Sequence, residues 1–167
     1  MLRVSVFSHH NELTDTWIRR MVALGADAID FGGDQEMPGV AETGVPDLDG
    51  VKALRKRLRS LGMEINRVTL PNFSDAFMRG EAGSEKELEN AAQALRVYGE
   101  AKIPMARQRF AGDVFTQMNG RAQTKHRGGY LARAESTGWV KEPQQWPTKE
   151  ELDAWWDRFE HAFSTLV

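Results

Sequence analysis

The sequence has no cysteine among its 167 residues. Disulfide frameworks, thiolate metal sites and cysteine nucleophiles are thereby excluded. No apolar run approaches the roughly 18 residues that a spanning helix needs, so a transmembrane protein is not expected. The opening stretch, Met1-Leu2-Arg3-Val4-Ser5-Val6-Phe7, is too short for a signal peptide and meets His9 and His10 too soon. The expected address is cytoplasmic, with no membrane partner. No G-x-G-x-x-G follows a strand and no P-loop occurs, which lowers a nucleotide-binding reading. A Ser-His-Asp elbow, an H-E-x-x-H pair and an EF-hand are missing too. The histidines, His9, His10, His126 and His161, show no recognisable metal spacing. Charge of one sign is also lacking. Lys and Arg number 22 against 24 Asp and Glu, a formal charge of -2, which argues against a dedicated nucleic-acid binder.

What is present is an ordinary globular mixture, 41% hydrophobic and 28% charged, of a length that favours one domain. Its charge is unevenly placed. From Arg107 to Lys141 seven basic residues face only Asp113 and Glu135, so this stretch carries +5 and the remainder -7. A local positive field on an acidic body concentrates small anions. The alternative is a set of solvated loop charges.

Four strand-then-helix units follow one another. Strands are expected at 2–7, 26–31, 63–70 and 105–109. The first helix, over 14–24, places Trp17, Ile18, Met21 and Val22 on one face, and Gly25 stands where a helix-ending glycine belongs. A Gly- and Pro-rich loop fills 32–46. Asp47 or Asp49 caps the next helix, with Leu48, Val51, Leu54, Leu58 and Leu61 in a stripe and Gly62 as its stop. Ser84 and Glu87 have capping-box spacing ahead of Leu88, Ala91, Ala92, Leu95 and Tyr98. Thr148 and Glu151 repeat it ahead of a last helix bearing Leu152, Trp155, Trp156, Phe159, Phe163 and Leu166. Trp155, Trp156 and Phe159 read as packing, and Met63 and Met105 as strand interior.

Alternating strands and helices imply parallel pairing and an α/β fold. Two layouts compete: an open doubly wound sheet, and part of a TIM (β/α)8 barrel. Eight units take about 250 residues, and four fill this chain. The expectation is a partial barrel of about four βα units, 1–167, with a long basic lid-like insertion at 110–147. The chain stops at Leu166 and Val167, an apolar helix end without a capping glycine. Half a barrel leaves sheet edges uncovered, so such a chain is expected to need a C-terminal half or a homo-oligomer.

In parallel α/β folds, sites gather at the C-terminal strand ends. Those ends carry Ser8, His9 and His10, then Asp30 and Asp34, then Asn66, Arg67 and Asn72, then Arg107 and Arg109. Neighbouring His9 and His10 point to opposite faces of a strand, so both do not easily ligate one ion. Asp30 and Asp34 are candidates for a carboxylate pair, although Asp34 has a ready structural role in its Gly-rich turn. Within 110–147, Lys125-His126-Arg127-Gly128-Gly129-Tyr130 combines glycines with polar groups. Arg109 or Arg127 can hold a carboxylate through two parallel hydrogen bonds. His126 suits an acid–base role near neutral pH, and Tyr130 can donate to a sugar hydroxyl. The competing reading is an irregular loop whose charges face water.

Three phrases resemble the N-terminal half of mannonate-dehydratase-like proteins in the xylose-isomerase-like barrel superfamily. They are Leu70-Pro71-Asn72-Phe73-Ser74-Asp75-Ala76-Phe77, Arg107-Gln108-Arg109-Phe110-Ala111-Gly112-Asp113 and His126-Arg127-Gly128-Gly129-Tyr130. The resemblance implies a carbon–oxygen lyase of glucuronate and hexuronate catabolism. Its reaction removes water from D-mannonate, giving 2-dehydro-3-deoxy-D-gluconate. It implies Mn²⁺ or Fe²⁺, held by ligands on later strands that this chain lacks, so no metal-ligating residue is assigned and the chain alone is expected to be inactive. It makes Arg109, His126, Arg127 and Tyr130 the candidates on the lid side; taken with the strand-end residues, His126 and Tyr130 are expected in catalysis and His9, Asn72, Arg109 and Arg127 in binding a small anionic sugar acid. Two alternatives stand beside it: a sugar isomerase or epimerase of the same superfamily, and a non-catalytic remnant or interaction module.

Overall fold

The computed structural model describes residues 3–8, 13–110, 121–125, 128–129, 131–135, 138 and 146–167. Strands β1 (Ser5–Ser8), β2 (Ala28–Phe31), β3 (Glu64–Thr69) and β4 (Ala106–Arg107) form one sheet in the order β1-β2-β3-β4. Every pairing in it is parallel. Between strands lie helices α1 (Asp15–Ala23), α2 (Val40–Thr43), α3 (Leu48–Ser60), α4 (Asp75–Met78) and α5 (Glu85–Glu100). A final helix, α6 (Lys149–Leu166), follows a hairpin of β5 (Arg121–Lys125) and β6 (Leu131–Glu135).

The layout question is decided by where the crossover helices go. Ile18 of α1, Val51 and Leu58 of α3, and Ala94 and Tyr98 of α5 share one core with Ile29, Phe31, Ile65, Val68 and Leu70. All three long crossovers therefore cover one face of the sheet. A doubly wound sheet covers both. A singly covered parallel sheet is one side of a βα barrel, its other face turned toward what would be the barrel interior. The core is apolar apart from the Tyr98 hydroxyl, and each large side chain it removes from water contributes about 1.5–3 kcal/mol.

Helix boundaries follow local chemistry. Thr14 accepts from the Trp17 amide to open α1, and Asp47 accepts from the Gly50 amide to open α3. Gly25 and Gly62 end these helices with φ of 97° and 92°, which other residues adopt at a cost. The 148/151 capping box forms as expected. The 84/87 pair does not. Ser84 makes no side-chain cap bond, and Glu87 instead receives both the amide and the hydroxyl of Ser74, the cap of α4. One carboxylate thus ties two helix starts together.

The loop expected over 32–46 contains a 3-10 turn, Asp34–Glu36, and the short α2. Met105 is not strand interior. It is 52% exposed just ahead of β4, whereas Met63 is buried. Trp156 is likewise 58% exposed, so only part of the aromatic set on α6 packs inward. A second cluster gathers Phe73, Phe77, Met78, Leu88, Ala91 and Ala162, with Phe110, Trp155 and Leu166 against it. Here α6 rests on α4 and α5, and Phe73 stacks on Phe77 at 4.2 Å between ring centres. Within the expected lid-like insertion, β5 and β6 pair antiparallel, Arg121 opposite Glu135 and Lys125 opposite Leu131. Gly128 and Gly129, both with positive φ, lie in the turn between them.

Candidate functional site at the strand ends

The uncovered face of the sheet carries a polar cluster centred on Asp30. One Asp30 oxygen accepts from the Ser5 hydroxyl at 2.8 Å and from the Asn66 amide at 2.7 Å. The other faces the Arg67 guanidinium at 3.3 Å. Asn66 and Arg67 are consecutive, yet both reach the same carboxylate. The reason is a one-residue slip in the β2–β3 ladder: Ile29 lies opposite Ile65 and Asp30 opposite Arg67. Two successive β3 side chains are thereby delivered to one face. Arg67 also lies over the Phe7 ring, 5.4 Å from its centre, a cation–π contact.

At the C-terminal end of the strands a second network forms. Arg107 donates to the Gly32 carbonyl at 3.2 Å and to the Thr69 hydroxyl at 3.3 Å. Thr69 in turn donates to the Phe31 carbonyl at 2.9 Å. Burial first, and then the like charges of Arg67 and Arg109, weaken the hold of Arg107 on its proton, with Asp30 opposing them. Arg107 thus stands within the field of two other guanidinium groups. Nε of Arg67 and Nε of Arg107 are buried without a hydrogen-bond partner among the described residues. The end of β1 is tied in by Glu36, which accepts from the Gly33 amide at 2.7 Å and from the Ser8 hydroxyl.

Two of the residues singled out in the sequence lie together here. Beyond the strands the β3 and β4 segments continue side by side, the Phe73 amide donating to the Arg109 carbonyl at 3.0 Å. Asn72 and Arg109 are therefore neighbours on adjoining segments, both exposed at the rim. His9, His126, Arg127 and Tyr130 lie outside the described residues, as does His10. Asp30 and Asp34 do not act as a carboxylate pair: Asp30 is committed to Ser5, Asn66 and Arg67, and Asp34 belongs to the 3-10 turn beside Gln35. Sequence reasoning missed the joint approach of Asn66 and Arg67 to Asp30. A signal existed, since the apolar positions Ile65, Val68 and Leu70 are separated by three residues and then two, which breaks strand parity at the slip.

A fit for a resident Mn²⁺ or Fe²⁺ fails on the described residues. No three His, Asp or Glu side chains gather among them. The Asp30 and Glu36 oxygens already face donors. A separate cleft of about 800 Å³ opens between α4 and α6, lined by Met78, Arg79, Trp146, Trp155 and Arg158 among others. None of the residues that line it belongs to a strand of the sheet. Its Arg158 is occupied by the Phe77 carbonyl, the Phe77 ring and Glu85.

A four-stranded parallel sheet with its crossover helices on one face, and polar groups at the strand ends, defines the class as one side of a βα barrel. Among solved structures, the mannonate dehydratase from Streptococcus suis serotype 2 matches it with a TM-score of 0.69 at 17% identity. The match covers 99% of this chain and 49% of that one, so the chain spans about half the length of the solved relative. The likeness is one of fold. No protein-family profile matches the chain, and no curated protein does.

Proposed function

We propose that this chain provides the substrate-binding side of a sugar-acid dehydratase, with D-mannonate or a close hexonate as the ligand. The observation that carries the reading is the gathering of Arg67, Arg107 and Arg109 at the C-terminal strand ends. Arg67 is neutralised by Asp30, and Arg107 has only neutral oxygen partners among the described residues. Arg109 has no ion-pair partner there and sits at the exposed rim. An exposed guanidinium offers a carboxylate two parallel donors, and Arg107 behind it adds a field that favours the anion. Asn72, on the adjoining segment, suits a sugar hydroxyl. A neutral keto sugar draws nothing from this charge, which sets the reading apart from an isomerase or epimerase. The fold match to a mannonate dehydratase supports the same substrate class. No proton-transfer step is assigned, because the carboxylates on this face are committed to donors.

The test is ligand-induced stabilisation of the purified chain. D-mannonate is expected to raise the melting temperature more than D-fructose does. The difference should shrink with added salt and disappear in Arg109→Ala. An equal response to both sugars, or none to mannonate, overturns the reading.

A further inference from the structure

The cleft between α4 and α6 has a use of its own, since none of Arg67, Arg107 and Arg109 lines it. Its roughly 800 Å³ falls within the range of about 300–1,000 Å³ usual for small-ligand pockets. Two indoles line it. Trp146 is 54% exposed, and Trp155 is half-buried, packed on Phe110 and Phe159. Met78, Pro147 and Ala154 complete the apolar lining. The charged groups of the cleft do not cancel. Arg79 is paired with Glu81 at 2.7 Å and Arg158 with Glu85 at 2.7 Å, and neither glutamate lines the cleft. Asp75, Glu151 and Asp157 do line it, with no ion-pair partner among the described residues, so a surplus of three negative charges remains. Glu151 also accepts from the Thr148 amide, which leaves its charge in place.

We infer that this cleft binds a small quaternary ammonium ligand, held against Trp146 and Trp155 by cation–π attraction and favoured by the field of Asp75, Glu151 and Asp157. The cavity and its indoles make the site, and the charge selects the ligand. A sugar-acid anion is repelled here. A metal ion is not suited, because no three acidic side chains gather closely enough among the described residues to ligate one, and indole faces supply no oxygen. A primary ammonium brings three N–H donors that need converging acceptors. A quaternary one brings none. It asks only for aromatic faces, apolar surface for its methyl groups and a diffuse negative field, which is what the cleft offers. The same two helices already pair a cation with a ring, Arg158 lying 4.2 Å from the centre of Phe77. The inference does not depend on the hexonate reading.

Choline is the probe, read by the indole N–H signals of the full chain in two-dimensional NMR. It is expected to move the signals of Trp146 and Trp155 saturably and to leave that of Trp17, which packs on the sheet-side core, in place. Dimethylbutanol, the same shape with carbon in place of the charged nitrogen, should bind about tenfold more weakly or worse. Ethanolamine should also bind more weakly than choline. Trp146→Ala is expected to weaken choline about tenfold. Asp157→Asn should weaken it less and flatten its salt dependence. Trp156→Ala, an exposed change on α6 outside the cleft, should leave binding unchanged. In each variant an unmoved Trp17 signal reports the intact fold. Failure to saturate, equal binding of dimethylbutanol, tighter binding of ethanolamine, or full binding by Trp146→Ala overturns the inference. Stabilisation by mannonate should survive Trp146→Ala, so the two ligand assignments stand or fall separately.

Discussion

The two faces of the sheet are built by opposite rules. The covered face is a layer of Ile29, Phe31, Ile65 and Val68 pressed by Ile18, Val51 and Leu58, all almost wholly buried. Nothing there is directional, and stability comes from area removed from water. The open face is a lattice of named donors and acceptors: Ser5, Asp30, Asn66, Arg67, Thr69 and Arg107. Ser5 is exposed, Thr69 is buried and the others lie between, so these bonds contribute orientation more than net energy. One face makes the fold, and the other holds charge where a ligand can meet it.

The strongest way to break the covered face is Leu58→Ala, expected to cost about 2–5 kcal/mol in urea unfolding. On the open face, Asp30→Ala leaves Arg67 without its anion and Asn66 without an acceptor, and should cost about 1–3 kcal/mol. It should do so without the loss of cooperativity that a core cavity brings. Tyr98→Phe sharpens the contrast. The Tyr98 hydroxyl is buried with no hydrogen-bond partner among the described residues, and burial first, then the Asp34 charge, hold it protonated far above the ordinary tyrosine range. Removing it should be neutral or stabilising by up to about 1 kcal/mol. The smallest effect is expected at Glu85, far from either face. The His161 ring and the Arg158 guanidinium, in that order, hold its carboxyl below the ordinary range. A depressed folded value gives stability that is complete above the unfolded value and is lost as the pH falls through the folded one. Acid should therefore loosen α6, seen as a change in Trp155 fluorescence, by well under about 1 kcal/mol for so exposed a group. Glu85→Gln should abolish that phase.

The covered face was legible in the sequence because hydrophobic periodicity records burial. Ile18, Val51, Leu58 and Tyr98 were all placed on core stripes, and Gly25 and Gly62 marked the ends of their helices correctly. The open face was legible only as a set of positions. Strand ends could be counted, which put Asp30, Asn66, Arg67, Arg107 and Arg109 in one region. Their pairing could not, because it depends on a ladder slip whose trace is a single break in parity. The β5–β6 hairpin escaped for another reason. Arg121-Ala122-Gln123-Thr124-Lys125 has no large apolar side chain, so pattern reading had nothing to detect. Glu87 shows how a correct spacing can mislead, since its carboxylate found a better pair of donors at Ser74 than at Ser84.

The slip between Ile29 and Asp30 also acts as an alignment key. Were β3 to slide by one residue along β2, Arg67 would turn into the apolar layer beneath the helices and Val68 would surface in its place. A wrong alignment would then drive a cation into oil and strand a carboxylate without its donors, so misregistered chains are penalised before they can compete with the native one.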